Sequence, residues 1–264
     1  MDHDGYKQLL DDLKAESDQL TDCLRTLSFE QWGHDTPAVG WGIQDQVTHL
    51  AFFDDATAMA LQRPDEFRSF ADALMADGMD FPDRIAENHR ILSPESIFNW
   101  FRDSRADLLD VLSAHEPKDR MPWFGPDMSA ASAATARLME TWAHGQDIYD
   151  ALGVEHPPSP GLRSIAHLGV ATFAFTHRLH GLDVPTEDVY VALDAPDGGL
   201  WTWGTVDSPE KVRGSAEEFV LVVTQRRHWT ETDLVAEGGI ASRWLDVAQA
   251  FAGAPSRRPP KVTP

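Results

Sequence analysis

Long stretches of helical periodicity in the first half of the chain most strongly constrain its fold. Apolar residues recur at three- and four-residue spacing, which is the pattern of an amphipathic α-helix. Four segments show it, at about 4–27, 43–61, 94–115 and 129–152. Ser93 and Pro94 suit the N-cap and first position of the third helix. Because each apolar face must be buried against another helix, the pattern predicts a four-helix bundle.

The pattern changes after the proline-rich segment 157–160. A further helix is predicted over 160–181, followed by a strand at 189–193, a turn at 197–199 and a hairpin partner at 200–204. Two more helices are predicted at 215–228 and 240–251. We therefore expect an α+β fold that is mainly α, with a four-helix bundle at residues 1–155 and a smaller α+β domain at residues 156–264.

Composition narrows the class of protein. The formal net charge of -21 on 264 residues would repel nucleic acid and anionic membrane surfaces, so we expect neither as a partner. No run of about 18 apolar residues occurs, and the first residues carry neither a basic region nor an apolar stretch of signal-peptide length. Cys23 is the single cysteine, which excludes an internal disulfide and a thiolate metal cluster. We expect a cytoplasmic protein that acts on a small molecule, as a monomer or a homodimer.

A carboxylate and two imidazoles are the leading candidates for a functional site. Glu140 and His144 stand four residues apart on a predicted helix, so both side chains project from one face. His49 lies on an earlier predicted helix among apolar residues. Together they would bind Zn2+, Fe2+, Ni2+ or Mn2+ and leave coordination positions open. The alternatives are a surface pair, or a buried Glu140 that is neutral or paired with an arginine.

Other residues are weaker candidates. Asp147 follows His144 by one turn and would orient a ligand imidazole, or else be a hydrogen-bonded residue near the helix end. Trp142 is a core residue by default, but close enough in sequence to the ligands to line their pocket. Arg226 and Arg227 could bind a substrate carboxylate, or pair with nearby acidic residues.

One further predicted helix carries three histidines: His167, His177 and His180. For these we favour hydrogen bonding between helices or a solvated face. No glycine-rich phosphate loop follows a strand, and no nucleophile-elbow motif occurs.

Two groups of motifs resemble a known family. The stretch 40–50, Gly-Trp-Gly-Ile-Gln-Asp-Gln-Val-Thr-His-Leu, and Glu140-x-x-x-His144 followed by Asp147 resemble the metal-binding N-terminal domain of the mycothiol-dependent maleylpyruvate isomerases, within the DinB-like superfamily of four-helix bundles. The segments 200–204, 223–228 and 244–253 resemble an actinobacterial branch with a wyosine-base-formation-type C-terminal domain. The likeness covers nearly the whole chain.

The resemblance implies a divalent metal, most often zinc, held by His49, Glu140 and His144. It also implies a low-molecular-weight thiol, mycothiol, as co-substrate of an isomerase or an S-transferase, because a metal-bound thiol loses its proton. The alternative is a small-molecule binding protein that keeps the bundle without catalysis. The arginine that contributes to activity in the C-terminal domain of the isomerase has no evident counterpart here.

Overall fold

The computed structural model describes residues 1–260 and divides the chain into two compact units, Met1–Ser159 and Pro160–Pro264. Within the described residues the fold is α+β and mainly α, as predicted from the sequence. The assignment of domains to residues 1–155 and 156–264 stays a prediction.

The first unit is built on four long helices. Its elements in chain order are α1 (His3–Arg25), α2 (Ile43–Gln62), α3 (Pro64–Met75), α4 (Phe81–His89), α5 (Pro94–Ser113), β1 (Arg120–Met121), β2 (Met128–Ser129) and α6 (Ala130–Leu152). Helix α2 packs against α5 and α6, and α1 packs against the same two helices, which makes α1, α2, α5 and α6 the bundle. The predicted four-helix bundle is therefore confirmed.

Local sequence signals determine where these helices begin and end. The side chains of Asp2, Ser93 and Ser129 each accept a hydrogen bond from a backbone N–H in the first turn of α1, α5 and α6. Gly153 ends α6 in the left-handed conformation, with φ 67°. Helix α4 and the short β1–β2 hairpin lie in segments for which no element was predicted.

The bundle core is formed by the apolar faces that the periodicity indicated. One cluster of buried residues joins all four bundle helices: Leu20, Leu24, Trp32, Ile43, Val47, Leu50, Ala51, Ile97, Phe101 and Ile148. Burying a side chain of this size stabilises a fold by about 1.5–3 kcal/mol relative to leaving it exposed. The packing holds α2 and α6 side by side, and these are the helices that carry the candidate metal ligands.

The second unit combines short helices with one mixed sheet. Its elements are α7 (Leu162–Ala171), α8 (Phe173–Leu179), β3 (Tyr190–Asp194), β4 (Leu200–Trp203), β5 (Lys211–Ser215), α9 (Ala216–Val223), β6 (Val235–Glu237) and α10 (Gly239–Leu245). The strand order is β4-β3-β5-β6. Strands β3 and β5 are parallel, and both edge strands pair antiparallel with their neighbours. The hairpin of β3 and β4 was predicted, whereas β5 and β6 were not.

Three predicted helices of the second unit were too long. The segment 160–181 forms two helices, because the chain breaks at Thr172, whose hydroxyl bonds back to Leu168 and Gly169. Helix α9 ends at Val223, and Gln225 then has φ 59°. Helix α10 ends at Leu245, after which Ala250 donates its N–H to the carbonyl of Val223 at 2.9 Å. A backbone hydrogen bond to a segment distant in sequence is thus found at Ala250, where a helical bond was expected.

Candidate metal centre

Three predicted ligand side chains meet at one point between α2 and α6. His49 Nε2 lies 3.4 Å from Glu140 Oε2, and His144 Nε2 lies 2.9 Å from the same oxygen. The ligand atoms of the three residues all lie within 4.8 Å of one another. It is the one such group of three histidine, cysteine or acidic side chains among residues 1–260.

The two helices supply this geometry in different ways. Glu140 and His144 are one turn apart on α6, so the backbone alone puts them on one face. His49 is brought to them by the packing of α2 against α6, and its ring centroid lies 4.4 Å from that of His144. Phe53, one turn after His49, packs against it at 4.5 Å.

A hydrogen-bond chain determines which nitrogen of His144 faces the ligand group. Gln46 Nε2 donates to Thr36 Oγ1 at 2.7 Å, and Thr36 in turn donates to the carbonyl of Trp41 at 2.8 Å. The amide oxygen of Gln46 is therefore left to accept from His144 Nδ1. With Nδ1 committed as the donor to Gln46, Nε2 is the nitrogen that donates to Glu140 in this structure, and it would present its lone pair to a metal once it loses that proton.

Sequence reasoning missed Gln46. The sequence feature that could have identified it is spacing. Gln46 precedes His49 by three residues, so both lie on the inward face of α2.

Trp41 forms an aromatic wall beside both imidazoles. Its ring stacks on His144 with a centroid distance of 5.9 Å and an interplanar angle of 17°, and lies 5.4 Å from His49. Its Nε1 donates to Asp83 Oδ1 at 2.7 Å. This ring excludes water from one side of the ligand group.

The loop that presents Trp41 is fixed at both ends. Gly40 has φ 83°, a conformation that favours glycine. Asp45 accepts the N–H of Gly42 at 2.9 Å and forms two hydrogen bonds with Arg90, each 2.9 Å long. Arg90 also donates to the carbonyl of Gly40 at 2.8 Å. A bidentate arginine pair of this kind restricts the loop strongly.

The charge of Glu140 is stabilised by its neighbours. Burial raises the pKa of this carboxyl, but hydrogen bonds and charge interactions with His144 and His49 outweigh burial and hold the pKa well below its usual value. Glu140 is therefore an anion at neutral pH, as a metal ligand must be.

A buried ion cluster lies close to this carboxylate. Asp54 accepts from Arg105 at 2.7 and 3.1 Å and from Arg137 at 3.1 Å, and all three side chains are almost fully buried. Burial lowers the pKa of Arg137, against the opposing effects of Asp54 and Glu140. Two cations thus face one aspartate, and Glu140 supplies the second negative charge of the group.

The donor set fits a divalent transition metal. Ligand atoms at about 2.0–2.1 Å from a tetrahedral Zn2+ are separated by about 3.3 Å. The separations of 2.9 and 3.4 Å from Glu140 Oε2 are close to that value. Two imidazoles and one carboxylate also leave a fourth position for water, thiol or substrate.

The remaining predicted site residues lie in both units. Asp147 and Trp142 are buried on α6, where Trp142 stacks on His156 with a centroid distance of 5.1 Å. Arg226 and Arg227 are half-buried in the second unit, just after α9. The roles suggested for these four residues stay predictions. The ring that packs on the ligands is that of Trp41.

Cys23 lies on α1 and is half-buried. Burial raises the pKa of its thiol. A raised pKa keeps the side chain protonated at neutral pH, and a protonated thiol is a poor nucleophile.

A profile of the mycothiol maleylpyruvate isomerase N-terminal domain matches residues 13–149, a range that contains all three ligand residues. An uncharacterised protein of Mycobacterium tuberculosis, in strains H37Rv and CDC 1551 / Oshkosh, is 44% identical over 246 residues, which cover 93% of this chain and 96% of that protein.

A crystal structure of the mycothiol-dependent maleylpyruvate isomerase is similar in fold. It has a TM-score of 0.60 and 15% identity, and the match covers 88% of this chain and 92% of that one. A histidine-to-alanine mutant of that enzyme matches with a TM-score of 0.58 over 84% of this chain and 89% of its own. In residues 1–260, no helix has both the length and the apolar character needed to span a membrane.

Proposed function

The chain belongs to the mycothiol maleylpyruvate isomerase N-terminal domain family, and we propose that it is a divalent-metal-dependent enzyme that uses a low-molecular-weight thiol. The reaction is an isomerisation or an S-transfer on a small, carboxylate-bearing molecule. A cytoplasmic location belongs to the same proposal, because thiols are kept reduced there.

The convergence of His49 Nε2, Glu140 Oε2 and His144 Nε2 carries this proposal. The family match adds the thiol, since the isomerase it is named for depends on mycothiol. We propose Zn2+ as the metal, because two nitrogens and one oxygen at these separations suit tetrahedral coordination. Ni2+, Fe2+ and Mn2+ accept the same donors.

A bound divalent metal would lower the pKa of a coordinated thiol or water and so supply a nucleophile at neutral pH. His49, Glu140 and His144 hold that position. Gln46 keeps the His144 lone pair on Nε2, and Trp41 shields one side from water. Cys23 does not serve as the nucleophile in this scheme, so the thiol comes from solution.

The isomerisation balances with the thiol alone. Addition of the external thiolate to one carbon of an activated cis double bond forms a C–S bond and leaves a single bond about which the substrate rotates. Elimination then breaks the C–S bond, restores the double bond as trans and returns the thiolate. The substrate must carry an electron-withdrawing group that stabilises the carbanion. Arg226 and Arg227 of the second unit stay candidates for binding a carboxylate.

Metal content tests the proposal. Elemental mass spectrometry on protein purified without an affinity tag should find near one equivalent of a transition metal in the wild type and little in His49→Ala or His144→Ala. His34→Ala removes an exposed histidine and is the matched control, with metal content expected to be unchanged.

Thiol-dependent isomerase and transferase assays follow on the same variants, with mycothiol as the thiol. Wild-type protein that cannot be loaded with Zn2+ would contradict the proposal. It would favour a small-molecule binding protein on the same bundle instead.

A further inference from the structure

Arg137 on α6 is a buried arginine whose hydrogen bonds are incomplete. Its Nε donates to Asp54 Oδ1 at 3.1 Å, and only 4% of its side chain is exposed. Its Nη2 is buried and has no hydrogen-bond partner within residues 1–260. Leaving a donor of a buried charged group unpaired is costly, so hydrogen bonding alone does not account for an arginine at this position.

The charge of Arg137 lies beside the candidate metal centre. Arg137 precedes Glu140 by three residues, so the two side chains lie on one face of α6. Its guanidinium carbon lies 5.9 Å from the ring centroid of Phe53, which in turn lies 4.5 Å from that of His49. Burial lowers the pKa of the guanidinium, while the charges of Asp54 and then Glu140 raise it. Since arginine stays protonated in proteins, a full positive charge is buried next to the ligand group.

The charges around Arg137 balance as long as no metal is bound. Arg105 and Arg137 carry two positive charges, and Asp54 and Glu140 carry two negative charges. A divalent metal in the candidate centre would add two further positive charges to this largely buried group. Because a buried net charge is unfavourable, such a centre favours anions at its open coordination position. A neutral ligand would leave the excess positive charge in place.

We propose that Arg137 is a positioning residue that sets the charge of the ligand accepted by the metal centre, because its buried guanidinium opposes the metal cation and attracts anions to the open position. Since its Nη2 is sealed, Arg137 acts through its charge and not by contact with the ligand. The inference rests on the proposed function and restricts the ligand of the metal centre to anions such as a thiolate or a carboxylate. The competing role is purely structural support of the bundle through Asp54.

The two roles of Arg137 predict different results when its charge is removed. If the charge acts, Arg137→Met should bind Zn2+ about tenfold more tightly, because a repulsive neighbour is lost. The same variant loaded with Co2+ should bind azide, an anion, about tenfold more weakly. Its affinity for imidazole, a neutral ligand, should not change. If Arg137 only supports the fold, Arg137→Met should bind Zn2+ more weakly and lose azide and imidazole alike.

Competition with a chromogenic chelator at neutral pH measures the Zn2+ affinity of the full chain. The visible absorption of the Co2+-loaded protein measures azide and imidazole binding. Arg137→Lys keeps the charge and should bind Zn2+ and azide as the wild type does. Arg102→Met removes an exposed arginine of α5 and is the matched control, with all three affinities expected to be unchanged.

The neutral variant should remain folded. Arg105 still donates two hydrogen bonds to Asp54 in Arg137→Met, at 2.7 and 3.1 Å. Arg137→Gln, which keeps a donor for Asp54, is the second neutral variant and should give the same changes in Zn2+ and azide affinity.

Three results would overturn the inference while leaving the metal centre itself intact. They are equal azide affinities in the Co2+-loaded wild type and neutral variants, a parallel loss of azide and imidazole, and an Arg137→Lys protein that binds azide no better than Arg137→Gln. A wild-type protein that binds neither Zn2+ nor Co2+ would instead contradict the proposed function, and the inference with it.

Discussion

Two buried clusters in the first unit have nearly the same composition but different chemistry. The first contains His49, His144, Glu140 and Gln46, whereas the second contains His156, Glu16 and Gln146. Each combines imidazole with a carboxylate and a glutamine amide. The difference lies in how many imidazoles meet at the carboxylate: two at Glu140 and one at Glu16.

In the second cluster both nitrogens of one ring face acceptors. His156 Nε2 lies 3.1 Å from Glu16 Oε1, and Nδ1 lies 3.0 Å from Gln146 Oε1. Gln146 Nε2 donates to Asp150 at 2.9 Å, which assigns the amide orientation. The two nitrogens of His156 thus contact two different side chains, and no second imidazole is directed at Glu16 to share a ligand position with it.

In the first cluster two rings direct Nε2 at one carboxylate oxygen, and the opposite nitrogen of His144 is held by Gln46. Two imidazole nitrogens and one carboxylate oxygen thus converge on one point. We expect competence for metal binding to depend on this convergence and not on the mere presence of histidine and carboxylate, and substitutions in both clusters test that expectation.

The largest effect is expected from exchanging the two carboxylates for amides. Glu16→Gln should lower the free energy of unfolding by about 1–3 kcal/mol, because it removes the buried carboxylate that is hydrogen-bonded to His156. It should leave metal content unchanged. Glu140→Gln should abolish metal binding while the protein remains folded. Urea unfolding of metal-free protein and elemental analysis measure the two properties, and a Glu16→Gln protein that loses its metal would break the distinction.

A smaller effect, on metal affinity, is expected from substitution of the two glutamines. Gln46→Leu should weaken metal affinity by about 10–100-fold, because His144 loses the acceptor that orients it. Gln46→Glu keeps an acceptor and should bind metal at least as well as Gln46→Leu. Gln146→Leu is the matched change in the second cluster, and competition with a chromogenic chelator should find its affinity unaltered. Equal loss in Gln46→Leu and Gln146→Leu would refute a specific role for Gln46.

The smallest effect concerns the ionisation of Tyr149, whose ring centroid lies 4.5 Å from that of His156. Burial, followed by the charges of Cys23, Glu16 and Asp22, raises the pKa of its phenol. The phenol of Tyr149 thus has a higher pKa in the folded protein than in the unfolded chain. Its contribution to the free energy of unfolding is fully present below about pH 10, the unfolded pKa, and is lost as the pH rises through the folded pKa. Absorbance at 295 nm should show a late ionisation step that is absent in Tyr149→Phe and occurs at lower pH in Glu16→Gln. An unchanged step in Glu16→Gln would show that the charge of Glu16 does not act on Tyr149.

The sequence predicted the bundle because each long helix signals itself locally. Ser93 and Ser129 lie at the helix starts, and the apolar spacing lies within each helix. The short elements of the second unit carry no such signal. Beyond α9 and α10 the chain makes long-range hydrogen bonds: Gln225 donates to the carbonyl of Ala248, and Ala250 donates its N–H to the carbonyl of Val223 at the end of α9. A local pattern contains no information on that pairing.

The same division holds for the site. Glu140 and His144 were predicted as a pair because an α-helix fixes the relation between positions four apart. His156, just before the proline-rich segment 157–160, was not among the predicted site residues, yet it is 7% exposed and stacked on Trp142. A lone histidine in such a segment has no sequence signature of burial.

By itself the sequence determined the four bundle helices, the helical pair of Glu140 and His144, and the resemblance to a metal-binding family. Only the tertiary structure decided that His49 meets that pair, that Gln46 orients His144 and that His156 has both nitrogens occupied. The physical reason is the distance along the chain over which each kind of interaction acts. Backbone geometry relates residues within one helix, whereas the direction of a lone pair across two helices depends on how the whole core packs.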